Sequence, residues 1–204
     1  MFPPGLYAIA DADVTPEVVS WGKALLSAGV QTLQLRAKRW TDGRIVDAAR
    51  ELVASANHHQ AVFILNDYPY IAAEVRAHGV HLGQTDMSPA EARSVLGPDA
   101  IIGLSTHTIE QVECATAVVP SVDYLGFGPV FDTASKAAAG TPRGPALLAE
   151  AVRATHLPVV AIGGISHALL QRIVDASPYG WAVISALTEA QDPTEAIREL
   201  SIAP

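Results

Sequence analysis

The chain has 204 residues, half of them hydrophobic, and a formal net charge of −8. That length and apolar content suit one domain over residues 1–204 with a full buried core. The negative charge argues against nucleic acid and anionic membranes as partners, since both need a basic face, but leaves open anionic small molecules held by a few cations in one cleft.

The elements alternate along the chain. Short apolar runs predict strands at residues 6–10, 32–36, 62–66, 79–82, 101–105, 124–127, 158–162 and 181–184. Helices are expected between them. The first opens at Thr15-Pro16-Glu17, a cap followed by proline in the first turn. The next runs from Thr41-Asp42 through Ala54, and a weaker one covers residues 70–78 behind Pro69. Ser88-Pro89-Ala90-Glu91 reads as a capping box. Residues 108–118, 144–154, 166–176 and 193–200 complete the helices. Eight strand–helix units of apolar strands in this length predict a single closed (β/α)8 TIM barrel. Residues 132–144 are the longest irregular stretch and are expected to form a mobile flap. Cys114 lies in a helical pattern, is expected to be a small core filler, and allows no disulfide within the chain. Met1-Phe2-Pro3-Pro4 lacks the features of a signal peptide, and no apolar run reaches the length of a membrane span, so a cytoplasmic location is expected.

A barrel carries its chemistry just after each strand, so the residues there matter as a set. Strand alternation sends Gln34, Arg36 and Lys38 inward and Leu35 toward the helices. An inward amide, guanidinium and ammonium need an anionic partner. Asn66-Asp67 and Gln84-Thr85-Asp86 follow the next two strands. Each aspartate alone could cap a helix; the pair beside Arg36 and Lys38 suits Mg²⁺, which keeps its waters and takes phosphate oxygens. Gly103-Leu104-Ser105-Thr106-His107 offers a hydrogen-bonding serine and, in His107, a possible acid–base group; no nucleophile elbow is present. His81 lies within a strand and reads as structural. Thr133, Ser135 and Lys136 supply hydroxyls and a cation suited to phosphate, and Gly163-Gly164 with Ser185 fits the phosphate-binding loops of the last two strands. Two anion sites emerge: a cationic one for a diphosphate, and one built on backbone amides for a monophosphate. Two acids and three cations around one spot would be electrostatically unstable without a multiply charged anion.

These runs resemble the thiamine phosphate synthase family and its sister group, the thiazole tautomerases. The matching segments are Gln34-Leu35-Arg36-x-Lys38, Asn66-Asp67, Gly79-Val80-His81-Leu82-Gly83-Gln84-x-Asp86, Gly103-x-Ser105-x-His107, Gly128-Pro129-Val130-Phe131-x-Thr133-x-Ser135-Lys136, Ala161-Ile162-Gly163-Gly164-Ile165 and Val183-Ile184-Ser185-Ala186. The resemblance implies a transferase of thiamine biosynthesis that condenses hydroxymethylpyrimidine diphosphate with hydroxyethylthiazole phosphate through a carbocation, releasing diphosphate. It implies that Gln34, Arg36, Lys38, Asn66, Ser105 and Lys136 hold the pyrimidine diphosphate, with Arg36, Lys38, Lys136 and Ser105 catalytic. Asp67 and Asp86 would hold Mg²⁺, and Thr133, Ser135, Gly163, Gly164, Ile184 and Ser185 the thiazole phosphate. Members of the family commonly form oligomers, so a homo-oligomer is possible. Two departures stand out: Tyr68 replaces the arginine usual after Asn-Asp, and residues 137–144 are closer to tautomerase-like members. The alternatives are a tautomerase using His107 without metal, and a non-catalytic phosphate-ligand barrel.

Overall fold

The computed structural model describes residues 2–117, 120–133 and 141–201. Eight parallel strands form one closed barrel in the order of the sequence. They are β1 (Gly5–Asp11), β2 (Thr32–Arg36), β3 (Val62–Asn66), β4 (Gly79–Leu82), β5 (Ile101–Thr106), β6 (Tyr124–Phe127), β7 (Val159–Ile162) and β8 (Gly180–Val183). The helices are α1 (Val18–Ser27), α2 (Asp42–His58), α3 (Pro69–Val75), α4 (Pro89–Leu96), α5 (Ile109–Ala117), α6 (Gly144–Arg153), α7 (His167–Val174), α8 (Ser185–Thr188) and α9 (Pro193–Ser201). β1 closes the barrel by pairing with both β2 and β8, with Tyr7 opposite Thr32 on one side and Ala182 on the other. Among the described residues no helix is long and apolar enough to cross a membrane.

Period-two alternation divides the core into two shells. Leu33, Leu35, Leu65 and Val80 face outward into the large cluster beneath the helices. Tyr7, Ile9, Ile64, Tyr124, Val160 and Ala182 fill the barrel interior, joined by Phe2. Phe2 stacks on Tyr124 with ring centroids 4.3 Å apart, and the Tyr179 hydroxyl donates to the Phe2 carbonyl. The segment before β1 therefore seals the N-terminal end of the barrel and leaves the C-terminal end as the open one.

The capping box forms as expected: Ser88 Oγ accepts from the Glu91 N–H, and the Glu91 carboxylate accepts from the Ser88 N–H at 3.1 Å. Thr15 does not cap α1. Its N–H is tied back to the Asp11 carbonyl at 2.8 Å, so a turn absorbs residues 12–15 and the helix begins at Val18. The short helix α8 has no counterpart in the expected elements. Cys114 is exposed rather than buried. Val112 and Ala115, three apart on α5, face the core, and a residue two after Val112 falls about 200° around the helix, on the outer side.

Candidate active site

At the end of β2, Arg36 turns inward and meets a residue the motif reading passed over. Its Nη1 lies 2.5 Å from Asp11 Oδ2 at the end of β1, opposite in register, with Asp13 3.8 Å away. Asp11 is completely buried, and its Oδ1 accepts from the Asp13 N–H at 2.9 Å. Lys38 lies beyond the strand, half exposed, with Nζ 2.8 Å from Asp67 Oδ2. The barrel thus compensates both cations internally. For Arg36 and Lys38 the expected instability without an anion does not arise, because the ends of the neighbouring strands β1 and β3 bring each its own carboxylate.

Asp67 sits in the left-handed region, φ 70°, and its N–H donates to the His81 carbonyl at 2.9 Å. It is close enough to Asp86 for the two carboxylates to influence each other. Burial pushes its carboxyl above the ordinary carboxylate range, Lys38 pulls it down, and Asp86 pushes it up again. Asp86 Oδ2 is oriented by the Gly83 N–H at 2.7 Å. Among the described residues no group of three or more His, Cys, Asp or Glu could hold a metal ion. A cation here would have two carboxylates and would complete its shell with water and substrate oxygens, which is the preference of Mg²⁺. Tyr68 is half-buried, packs against the core and caps α3 without a side-chain hydrogen bond.

Below this rim a pocket opens into the barrel. Gln34, Arg36, Asn66, Ser105 and His107 line one side. Thr133, Gly163, Gly164, Ile184 and Ser185 line the side formed by the β6, β7 and β8 ends. Asn66 is nearly buried, and its Nδ2 has no hydrogen-bond partner among the described residues. Such a donor costs about 1–3 kcal/mol until an acceptor reaches it, and its place on the pocket wall leaves it within reach of whatever enters the pocket. The Gln84 side chain anchors the Ser105 carbonyl at 2.6 Å. His107 Nδ1 lies 2.6 Å from the Gly128 carbonyl. That oxygen only accepts, so Nδ1 carries a proton, and in the neutral tautomer the lone pair is on Nε2.

Gly163 and Gly164 have φ of 98° and 64°. A Cβ on Gly164 would lie 2.2 Å from the Asp132 carbonyl oxygen, so only glycine lets the β7 loop pass so close to the β6 loop. Gly164→Ala is expected to cost about 1–3 kcal/mol. The measurement is the urea midpoint at unchanged m-value; an unshifted midpoint would contradict this packing. Ser135, Lys136 and residues 134–140 of the expected flap lie outside the described residues.

A model of the family described as thiamine monophosphate synthase matches residues 6–187. The chain belongs to this family. Among its relatives, a thiamine-phosphate synthase of Laribacter hongkongensis is 43% identical over 179 residues, covering 87% of this chain and 83% of that protein. Another, of Chlorobium luteolum, is 38% identical over 197 residues, 97% of this chain and 91% of that protein. The solved thiamine phosphate pyrophosphorylase of Pyrococcus furiosus superposes with a TM-score of 0.86 at 32% identity, covering 96% of this chain and 93% of the other.

Within this family fold, the motif reading missed Asp11 and the two interior phenols, Tyr7 and Tyr124, and it assigned His81 to the framework. His81 is tied to Tyr124 and Ser105 as a framework residue would be, at 2.9 Å each, and it also lines the pocket. The available signal was strand parity: Tyr7 and Asp11 share the inward face of β1, and His81 alternates with two buried apolar neighbours, Val80 and Leu82.

Proposed function

We infer that this chain is a thiamine-phosphate synthase that joins hydroxymethylpyrimidine diphosphate to hydroxyethylthiazole phosphate and releases diphosphate. Relatives matched over most of their length are named thiamine-phosphate synthases. The observation that carries the reading is the Lys38–Asp67–Asp86 group, whose Lys38 and Asp67 closely follow the pocket-lining Arg36 and Asn66 along the chain, with the Gly163-Gly164 turn in the lining of the same pocket. A diphosphate at the rim and a monophosphate at the turn place a pyrimidine and a thiazole between them.

In this reading Gln34, Asn66 and Ser105 hold the pyrimidine diphosphate on the β2, β3 and β5 ends, Arg36 and Lys38 serve its phosphates, and Lys136 joins them as the family resemblance implies. Asp67 and Asp86 are the residues that would hold Mg²⁺, which when bound neutralises charge on the departing diphosphate. The two crowded carboxylates, one of them already pushed toward its neutral form, fit such a cation. Arg36 and Lys38 need little rearrangement to stabilise the leaving group, because Asp11 and Asp67 already hold them in place. Thr133, Ser135, Gly163, Gly164, Ile184 and Ser185 hold the thiazole phosphate so that its ring nitrogen faces the pyrimidine methylene carbon. As the C–O bond to diphosphate breaks, the electron-rich pyrimidine carries the cation, and the thiazole nitrogen closes the new bond. No covalent nucleophile is required; positioning and leaving-group stabilisation carry the rate.

A thiazole tautomerase would use His107, whose Nε2 lone pair is set by the Gly128 contact. Such an isomerisation has no task for Lys38, Asp67 and Asp86. A coupling assay with both phosphorylated substrates, run with and without Mg²⁺, separates the two. Diphosphate release that depends on the metal and survives His107→Ala is the expected result. Isomerisation lost in His107→Ala and indifferent to chelation would establish the tautomerase instead.

A further inference from the structure

The interior of a TIM barrel is ordinarily filled by layers of branched apolar side chains. Here a polar chain crosses it. Gln34 Nε2 donates to the Tyr7 hydroxyl at 2.7 Å, and the Tyr7 and Tyr124 hydroxyls lie 3.0 Å apart. The Tyr124 hydroxyl is 2.9 Å from His81 Nδ1, and His81 Nε2 is 2.9 Å from Ser105 Oγ. Five residues from five strands thus connect two groups that the proposed function places on the pyrimidine diphosphate, Gln34 and Ser105. Neighbouring strands reserve the space. A Cβ on Gly103 would lie 2.1 Å from Tyr124 Cζ, and one on Gly126 would lie 3.1 Å from His81 Cε1.

The donor sense of this chain follows from its first bond. Tyr7 accepts from the Gln34 amide, so its own proton goes to Tyr124; the Tyr124 proton goes to His81 Nδ1. In the neutral ring His81 Nε2 then carries the proton and donates to Ser105, whose hydroxyl proton is left, among the described residues, for an acceptor in the pocket. Reversing the later links while the Gln34 amide stays in place leaves a buried phenol proton with no acceptor in the chain, which is the costly alternative.

We propose that Tyr7, Tyr124 and His81 are positioning residues that lock the orientation of the Gln34 amide and the donor sense of the Ser105 hydroxyl to each other, so that the pocket presents one fixed donor–acceptor pattern to the pyrimidine. Their role in pyrimidine recognition rests on the synthase reading; the polarity of the hydrogen-bond chain does not. Burial raises both phenols above the ordinary tyrosine value, so each keeps the proton its link requires.

Two measurements test this separately. In ¹⁵N-histidine-labelled protein, in mildly alkaline buffer, the resonance missing from His81→Asn is expected to show an unprotonated Nδ1 and a protonated Nε2. A protonated Nδ1 overturns the polarity whatever the enzyme catalyses. In steady-state coupling, Tyr7→Phe is expected to raise KM for the pyrimidine diphosphate about tenfold, the worth of one neutral hydrogen bond, with KM for the thiazole phosphate unchanged and kcat nearly so. Equal losses in both KM values, or none, overturn the positioning role. Should the parent enzyme show no coupling at all, the synthase reading fails while the tautomer result still decides the polarity.

Discussion

Asp67→Asn is expected to lower Mg²⁺-dependent coupling about a thousandfold while leaving the metal-free fold at least as stable as the parent. Asparagine is isosteric and tolerates the left-handed backbone at this position. What it removes is charge. In the parent, burial and Asp86 raise the Asp67 carboxyl above its ordinary value. A carboxyl raised in the fold binds more protons folded than unfolded across that interval. Parent stability therefore falls as pH rises from the ordinary carboxylate value through the raised one. Asp67→Asn should flatten that part of the stability curve. The lost contact to Lys38, itself 42% exposed, offsets this little, because an ion pair open to solvent is worth about 0–1 kcal/mol. Metal should act oppositely on the two proteins. A cation present at a hundred times its Kd stabilises the parent by about 2.7 kcal/mol and should leave the variant unmoved. Thermal melts over pH, with and without Mg²⁺, measure both effects. Undiminished coupling in Asp67→Asn, or equal metal stabilisation of both proteins, would remove Asp67 from the proposed metal site.

Asp11→Ala is expected to produce the largest stability loss of any single carboxylate removal in the chain. Asp11 is fully buried, holds Arg36 at 2.5 Å and accepts from the Asp13 N–H. Its loss leaves a guanidinium only 15% exposed with the more distant Asp13 as its nearest acid. Removing one partner of a buried pair costs about 3–5 kcal/mol; Asp13 and the opening to solvent put this case near about 3 kcal/mol. For a chain of this size that lowers Tm by about 6–12 °C. Asp11→Asn keeps a hydrogen-bond acceptor and should fall between. Coupling should fall with the structure still folded, because Arg36 no longer has a fixed direction toward the leaving group. A Tm within a degree or two of the parent would show that Asp13 or solvent replaces Asp11 fully, and that Arg36 needs no buried anchor.

Much of the architecture was legible along the chain because its causes are local. The eight apolar runs, their alternation with helices and the capping box at Ser88 depend on residues within a few positions of one another, and each formed within a residue or two of where it was read. Where local signals misled, a nearby backbone bond had already been made: Thr15 is tied to Asp11, so the proline behind it starts no helix. The pocket-wall set was legible for a related reason. In a parallel barrel every strand ends on the same side, so Gln34, Arg36, Asn66, Ser105, Gly163, Gly164 and Ser185 had to face one opening once the fold was known.

The sequence by itself determined the barrel, the end that carries the site, and which residue types stand there. Only the tertiary structure decided how those side chains pair. Asp11 meets Arg36 across 25 positions, His81 meets Tyr124 across 43, and Tyr7 meets Tyr124 across 117. Periodicity places a side chain on a face but does not name its partner. Which carboxylate neutralises which cation, and which hydroxyl completes which hydrogen bond, follows from strand register and barrel closure, and those arise only when distant segments are packed together.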